Sequence, residues 1–481
     1  MTDRGWADKP SQTTTKPVKR PEKQLASGRI FIDPLSPLVF RNGQTLGDAG
    51  QLGAIAVHPF PLPGTIAGAI RGAILSRLGI SDQELGHGPR RQQFLQGINV
   101  TGPFLAKVPV GAPIGHASIF LPPPADCVFK NGGAQRLMPQ LVAEGSGCDL
   151  PNELTPLFLP DDGSKSKPDK GPDWWSLDEY CDWMLDVKQD FSMEPRGAVL
   201  DVRTHVVLDE NTKLATDGGL YATGGLDFGG TLGKESASNG LVAWISMLEK
   251  VHDSAGGGER RHEVFRPQEP FSISGLDNYF GKIGADGRGA RFHASDEAGD
   301  LPSRMIVPDS RFEALHNELK RTNVGDVIRL ALVTPAFFRY NGWFPDGLQA
   351  SEPPELPKHK RTQGNLRGAL PSLPDWEFTL VAAALNRWEP YAGAAMAGSA
   401  KSEVKLSGRG RYGKERKEGI PMDRMSKPLR RLVPAGATYW LKVEKKGAGT
   451  IADALLKSVC YEEYARDGFG IAMFGSAGDK G

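Results

Sequence analysis

Between Thr65 and Leu78 the apolar residues recur with the period of a helix. Ile66, Ile70, Ala73, Ile74 and Leu78 fall on one arc, and Gly68, Gly72 and Ser76 gather on the opposite side. Thr65, behind Pro61 and Pro63, supplies an N-cap hydroxyl, and Gly79 can leave the helix in a left-handed conformation. An interior glycine costs about 1 kcal/mol against alanine, so Gly68 and Gly72 on the outward face point to something that approaches the backbone closely. A proline-punctuated strand, IFIDPLSPLVFRNG from Ile30, precedes this helix.

Further strands are predicted at SIFLP near Phe120, AVLDVRTHVVLD around Val206, FSIS at Phe271, VIRLALVTPAFF around Leu332, FTLVAAAL around Val381, TYWLKV around Trp440 and GIAMFG near the end. Helices are predicted at Leu177 to Asp186, Leu241 to Val251, Phe312 to Leu319 and Ile451 to Tyr464. Helix and strand mix without strict alternation. This suits an α+β fold built from split βαβ units better than a doubly wound sheet. Glycine-, proline- and charge-rich stretches near Lys167, Gly257, Pro357 and Arg411 read as insertions or mobile loops. The coarse organisation is a disordered tail over 1–24, then two αβ halves over 25–322 and 323–481. The first half carries insertions at about 150–190 and 229–265, and the second a basic insertion at about 395–425.

Composition excludes more than it selects. Lys and Arg number 58 against 57 Asp and Glu, so net charge argues neither for nor against a nucleic-acid partner. Charge is instead local: residues 150–190 hold ten acids against four lysines, whereas Lys401 to Arg431 hold eleven Lys or Arg against four acids. Cys127, Cys148, Cys181 and Cys460 are scattered with no pair at metal-ligand spacing, which fits a reduced, cytoplasmic protein without structural zinc. No apolar run approaches a membrane span.

Catalytic motifs are missing from the pattern. No HxxxH or HExxH unit, nucleophile elbow or phosphate-binding Walker loop occurs. A histidine such as His58 or His116 could act as general acid in RNA cleavage, and a structural or solvated histidine is the competing account. LPPPADCVF, from Leu121, reads either as a groove wall or as a plain proline turn. THVVLDENTKLATDGGLYATGGLDF, Thr204 to Phe228, alternates like a hairpin turning at Asp209 to Thr212, and its Gly218, Gly219, Gly224 and Gly225 serve either the turn or a close ligand. FGKIGADGRGARFH, Phe280 to His293, sets Lys282, Arg288 and Arg291 among glycines, which suits phosphate contacts or a solvated loop. Thr450 with Asp453 forms a capping box ahead of RDGFGIAMFG. There the turn Gly468, Phe469, Gly470 offers backbone donors and a stacking ring, although such turns often bind nothing.

Seven blocks, in order, resemble the third-subunit family of the Cmr complex, the type III-B CRISPR effector, within the RAMP superfamily. They are FIDPLSPLVFRNG with PFPLPGTIAGAIRGAI, then FLPPPADCVF, HVVLDENTKLATDGGLYA, IGADGRGA, LALVTPAFFRYNGWFPDG, RRLVPAGATYWLKV and GFGIAMFG. The resemblance implies two ferredoxin-like (RRM-like) domains with long loop insertions. It implies a non-catalytic, cofactor-free and metal-free subunit that holds the 5′ handle of the CRISPR RNA. Such a subunit docks the large palm-domain subunit and a backbone RAMP subunit. On that reading the RNA-binding surface comprises Arg41, His58, Thr65, Gly68, Arg71, Gly72, Lys282, Arg288, Arg291, Gly468, Phe469 and Gly470. A RAMP endoribonuclease using a histidine is the alternative.

Overall fold

The computed structural model describes residues 23–40, 58–79, 94–142, 150, 154–160, 167–187, 190–194, 196–209, 211–229, 237–249, 271–284, 287–296, 310–339, 342–350, 365–391 and 430–477. Of the disordered tail expected over 1–24, residues 1–22 lie outside this set, and Lys23 and Gln24 already belong to the first strand.

The first large sheet is built from β1 (Lys23–Pro34), β2 (Ile98–Pro109) and β3 (Ser118–Leu121) with four later strands. Between them come a hairpin of β4 (Cys127–Lys130) and β5 (Gly133–Arg136), and a two-residue ladder of β6 (Met138–Pro139) and β7 (Leu157–Phe158). The chain then passes through β8 (Trp175–Ser176), a long hairpin of β9 (Val199–Leu208) and β10 (Ala215–Asp227), β11 (Ala237–Glu249), β12 (Tyr279–Ile283) and β13 (Arg288–Asp296). The sheet order is β12-β13-β1-β11-β2-β3-β8, antiparallel throughout. The second sheet uses β14 (Val327–Leu332), β15 (Leu348–Ala350), β16 (Leu366–Leu370), β17 (Leu373–Ala384), β20 (Thr438–Lys445) and β21 (Ala472–Ser476) in the order β15-β16-β17-β20-β14-β21. A short ladder of β18 (Glu389–Tyr391) and β19 (Arg430–Leu432) stands apart. The helices are α1 (Pro63–Arg77), α2 (Leu177–Met184), α3 (Ser310–Leu319) and α4 (Glu462–Ala465). The fold is α+β and strand-rich.

Within each sheet four strands share one order. Taking β1, β2, β11 and β13 as first to fourth, their order in space is fourth, first, third, second, and β14, β17, β20 and β21 repeat it. Helix α1 fills the first crossover of the first sheet. Its apolar arc buries Ile66, Ile70 and Ile74 with Ile30 and Ile32 of β1, Ala243 and Ile245 of β11, and Ala290 and Phe292 of β13. The opposite side chains of that sheet, Phe31, Phe104, Val242 and Trp244, join the core of the second half.

Several expectations give way to tertiary context. Leu241 to Val251 is the central strand β11, not a helix. Both faces of that strand are buried, so its apolar run has no polar alternation to distinguish strand from helix. FSIS is a 3-10 turn at Ile273–Leu276, held because the Asp296 carboxylate accepts from the Ile273 and Ser274 N–H groups. The capping box of Thr450 and Asp453 forms, yet it starts only one 3-10 turn, Ile451–Ala454. Leu456 and Val459 then donate to Ala472 and Gly470, so the segment runs beside the last strand instead of coiling on. Thr65 is not the N-cap of α1: Leu62 is, with Pro63 at the first helical position, where a missing N–H costs nothing. Gly79 does take the left-handed conformation, φ +65°. The acidic stretch read as an insertion contains β8 and α2, and Trp175 and Tyr180 there are fully buried in the second half's core.

One buried ion pair fastens these parts together. Arg329 of β14 and Asp126, ahead of β4, are both 0% exposed and 2.8 Å apart. The Trp183 indole donates to the other Asp126 oxygen at 3.0 Å, and Arg329 donates to the carbonyls of Trp183 at 2.7 Å and Ser476 at 2.5 Å. Arg136, stacked on Trp183 at 4.3 Å, has its pKa pulled down to about 10 by burial and by the neighbouring Arg329 charge. Asp126→Ala leaves Arg329 buried without its carboxylate and is expected to cost ~3–5 kcal/mol, measured as a lowered urea midpoint.

Candidate nucleic-acid interface

One face of the first sheet is covered by α1; the other packs its central strands against α2 and the second half, and is exposed at Phe280 and Lys282 on its β12–β13 edge. On β12 and β13 the side chains of Tyr279, Gly281 and Ile283, and of Ala290 and Phe292, point to the α1 side, so Phe280, Lys282 and Arg291 point to the other. Phe280 is 59% exposed, Lys282 is exposed, and the Arg291 guanidinium lies 5.0 Å from the Phe280 ring centroid. The Nε–H of Arg291 is buried with no acceptor. His293 and Asp33 continue this face, Arg291 opposing Asp33 across the β1–β13 ladder. Burial lifts the Asp33 carboxyl above its ordinary range, and the charges of His293 and Arg291 oppose that rise. The result is a cationic and aromatic strip at a sheet edge, the donor set that pairs phosphates and stacks bases.

The second feature is the hairpin of β9 and β10, whose turn at Asp209 is closed by the Asp209 carboxylate accepting from the Asn211 and Thr212 N–H groups. Val199, Leu200, Val202, Val206, Val207 and Leu208 are each 43–52% exposed. Neighbouring positions point to opposite faces of a strand, so both faces of the hairpin show apolar groups to solvent. Gly225 supplies its close approach at the root, where a β-carbon would meet Pro37 at 2.9 Å, while Leu38 and Leu226 exchange backbone bonds. That glycine serves the chain's own packing.

The sequence-predicted residues separate into three groups. Gly68 and Gly72 are exposed with nothing within 4 Å of a would-be β-carbon, and Thr65 is half-buried nearby. Lys282, Arg288 and Arg291 share the β12–β13 hairpin, Arg288 half-buried at its start. The remaining described residues turn inward. Arg71, expected at the edge of the glycine face, is 6% exposed. It donates to the Ile98 carbonyl at 2.8 Å, to Asp467 at 2.5 Å and to the Arg466 carbonyl at 3.1 Å, tying α1 to the second half. Phe469, expected to stack on a base, is 2% exposed against Phe337, with centroids 4.8 Å apart. Gly468, φ +91°, lies so close to the Gly102 carbonyl that a β-carbon would collide with it, and at Gly470 one would collide with the Cys460 sulfur. His58 is 4% exposed, its Nδ1 3.2 Å from the Glu389 carboxylate. Arg41 lies outside the described residues.

His58 and Glu389 sit in the wall of a cleft between the two halves, with a cavity volume of about 450 Å³. Phe60, Phe120 and Trp174 line it with Pro122 and Arg196, so the proline turn after β3 is a wall of this cleft. Phe60 and Trp174 meet at 4.8 Å, and Arg196 lies over Phe120 while pairing with Glu179 at 2.6 Å. Burial acts on the Glu179 carboxyl, but that bond and the Ser192 and Ser176 N–H donors hold it below its ordinary range.

Sequence reasoning missed Phe280 as the exposed member of the strip, and missed the hairpin's exposure. The signal for the second was present: VLDVRTHVVL carries apolar residues at both odd and even positions without a following helix to cover either face.

A model of the family described as CRISPR-associated protein (Cas_Cmr3) matches residues 30–477. No curated protein matches. Among solved structures the chain is similar to one in a "Cryo-EM structure of the Type III-B Cmr-beta bound to cognate target RNA", at 13% identity and TM-score 0.34, covering 86% of each chain. It is also similar to one in the same complex "bound to cognate target RNA and AMPPnP, state 1", at 12% identity and TM-score 0.33 over 86% of each.

The glycines give opposite expectations. Gly68→Ala fills open space on a helix and is expected to raise stability by ~1 kcal/mol. Gly468→Ala meets a left-handed backbone and a carbonyl, and is expected to lower it by ~1–3 kcal/mol, both read from denaturant midpoints.

Proposed function

The chain belongs to the Cas_Cmr3 family of CRISPR-associated proteins, which makes it a subunit of a type III-B CRISPR effector. From that premise we propose that it is a non-catalytic RNA-binding subunit, which holds the 5′ handle of the CRISPR RNA and docks the large palm-domain subunit against the backbone. The observation that carries this reading is the exposed strip of Phe280, Lys282 and Arg291 at the edge of the first sheet. Lys282 and Arg291 meet phosphates, the orphaned Arg291 Nε–H gains an acceptor, and Phe280 offers a ring to an unstacked base. Arg288, paired with Ile283, and the open glycine face of α1 lie on the other side of that sheet and form a separate surface. The common strand order of the two sheets supports two ferredoxin-like halves, with α1 in the first crossover of one and the turn at Ile451 and α4 in the second crossover of the other.

The β9–β10 hairpin supplies docking. Its exposed apolar side chains belong to none of the core clusters among the described residues, and burying their exposed halves against a neighbouring subunit removes them from water. A histidine-based ribonuclease has weaker support: His58 is buried on Glu389, and His116 stands exposed on a 3-10 turn with no acid or base beside it among the interactions described.

Two outcomes test this reading. Lys282→Glu with Arg291→Glu is expected to reduce CRISPR RNA retention by the reconstituted complex, with the slope of log affinity on log salt falling by ~0.7 for each lost phosphate contact. Retention that stays at the wild-type level across salt concentrations counts against the strip. Val202→Asp with Val206→Asp is expected to abolish copurification with the neighbouring subunit while circular dichroism of the purified chain stays unchanged, because no core packing is lost.

A further inference from the structure

A second exposed aromatic stands on the other half. Among the described tryptophans only Trp388 is exposed, at 48%, and the Arg431 guanidinium lies 5.3 Å from its ring centroid. Trp388 directly precedes β18 and Arg431 lies in β19, in a ladder where Glu389, Pro390 and Tyr391 oppose Leu432, Arg431 and Arg430. Arg387 is exposed one residue before Trp388, and Arg430 lies 5.5 Å from the Tyr464 centroid. The acid on this ladder, Glu389, has its carboxylate 3.2 Å from the His58 Nδ1 and lines the cleft between the halves. The strands are also the two ends of residues 392–429, which carry nine Lys or Arg against four acids.

We propose that Trp388, flanked by Arg387 and Arg431, is a stacking platform for unpaired RNA, separate from the strip on the first sheet. Every base has a π-face, so a tryptophan ring accepts a nucleotide without regard to sequence, and the arginines hold the phosphates on either side. A lone solvated cation–π pair would need neither the exposed Arg387 beside it nor Arg430 next to Arg431. The platform binds the exposed, single-stranded part of an RNA, because a base paired within a duplex has no free face to offer the ring. Guide and target RNA share that chemistry. The proposal rests on the reading of this chain as an RNA-contacting subunit.

The full-length chain, assembled with its complex, is tested with a labelled unpaired oligoribonucleotide and with a duplex of equal length. Trp388→Ala is expected to weaken binding of the unpaired RNA by roughly tenfold and to leave duplex binding as it was. Arg431→Gln is expected to lower the salt slope by ~0.7. A photo-crosslinking phenylalanine analogue in place of Trp388 then identifies the source. Labelling of the guide before target is added assigns the platform to the guide, and labelling only after addition assigns it to the target. The proposal is overturned if both variants bind unpaired RNA as wild type does, or if the crosslinker labels a protein subunit instead of RNA. Guide retention lost on charge reversal at Lys282 and Arg291, together with no RNA label at position 388, overturns this platform and leaves the first interface standing.

Discussion

Arg329 and Asp126 set a constraint that much of the molecule obeys. Two charges with no solvent contact are tolerable only when every lone pair and proton around them is spoken for, and here the partners come from distant parts of the chain. Trp183 and the carbonyls that end α2 close one side, and Ser476 of the last strand closes the other. The hairpin of β4 and β5, helix α2 and two strands of the second sheet are therefore fixed by a single cluster that fails if one member is misplaced. Arg71 performs a similar task at the other end of the contact, reaching from α1 to Asp467. The two sheets meet as a jointed but well-bolted pair, and the cleft between them inherits its shape from those bolts.

Local signals in the sequence were sufficient where a segment had one wet face. Helix α1, helix α2, the β9–β10 hairpin, β1 and β3 of the first sheet and β14, β17, β20 and β21 of the second follow from periodicity and turn residues, whereas β2, β12, β13, β15 and β16 are not among the predicted strands. They failed where both faces were dry, as in β11, because Leu241 to Ile245 is apolar at every position and shows no period of two. They failed again at the sites. Arg71, His58 and Phe469 have the residue chemistry of an RNA surface, yet each meets a partner far away in sequence, which no local pattern announces. The glycine face of α1 was legible because its exposure depends on the helix alone. Whether a basic residue lies on a strand's covered or open side depends on register, and Lys282 and Arg291 gained their meaning only from the β12–β13 ladder.

The surfaces that remain open divide by chemistry. Cations and rings on the exposed edge of the first sheet suit a polyanion with exposed bases, whereas the hairpin's valines and leucines suit a drier contact. A chain with almost equal numbers of acids and bases can offer both because its charge is sorted along the sequence. The sorting also explains why the whole-chain composition was silent about a nucleic-acid partner.

The position of β21 has a consequence for how the protein is made. All four common-order strands of the first sheet have left the ribosome once residue 296 has, so that sheet can close early. The second sheet cannot: β14 needs β21 along one side, and the Arg329 cluster needs Ser476, so residues from 327 onward wait for nearly 150 more to be translated. During that interval the inner face of β14 and the free side of Trp244 stand open together. Nascent chains of this subunit are thus exposed to premature association for as long as the ribosome takes to reach the final strand.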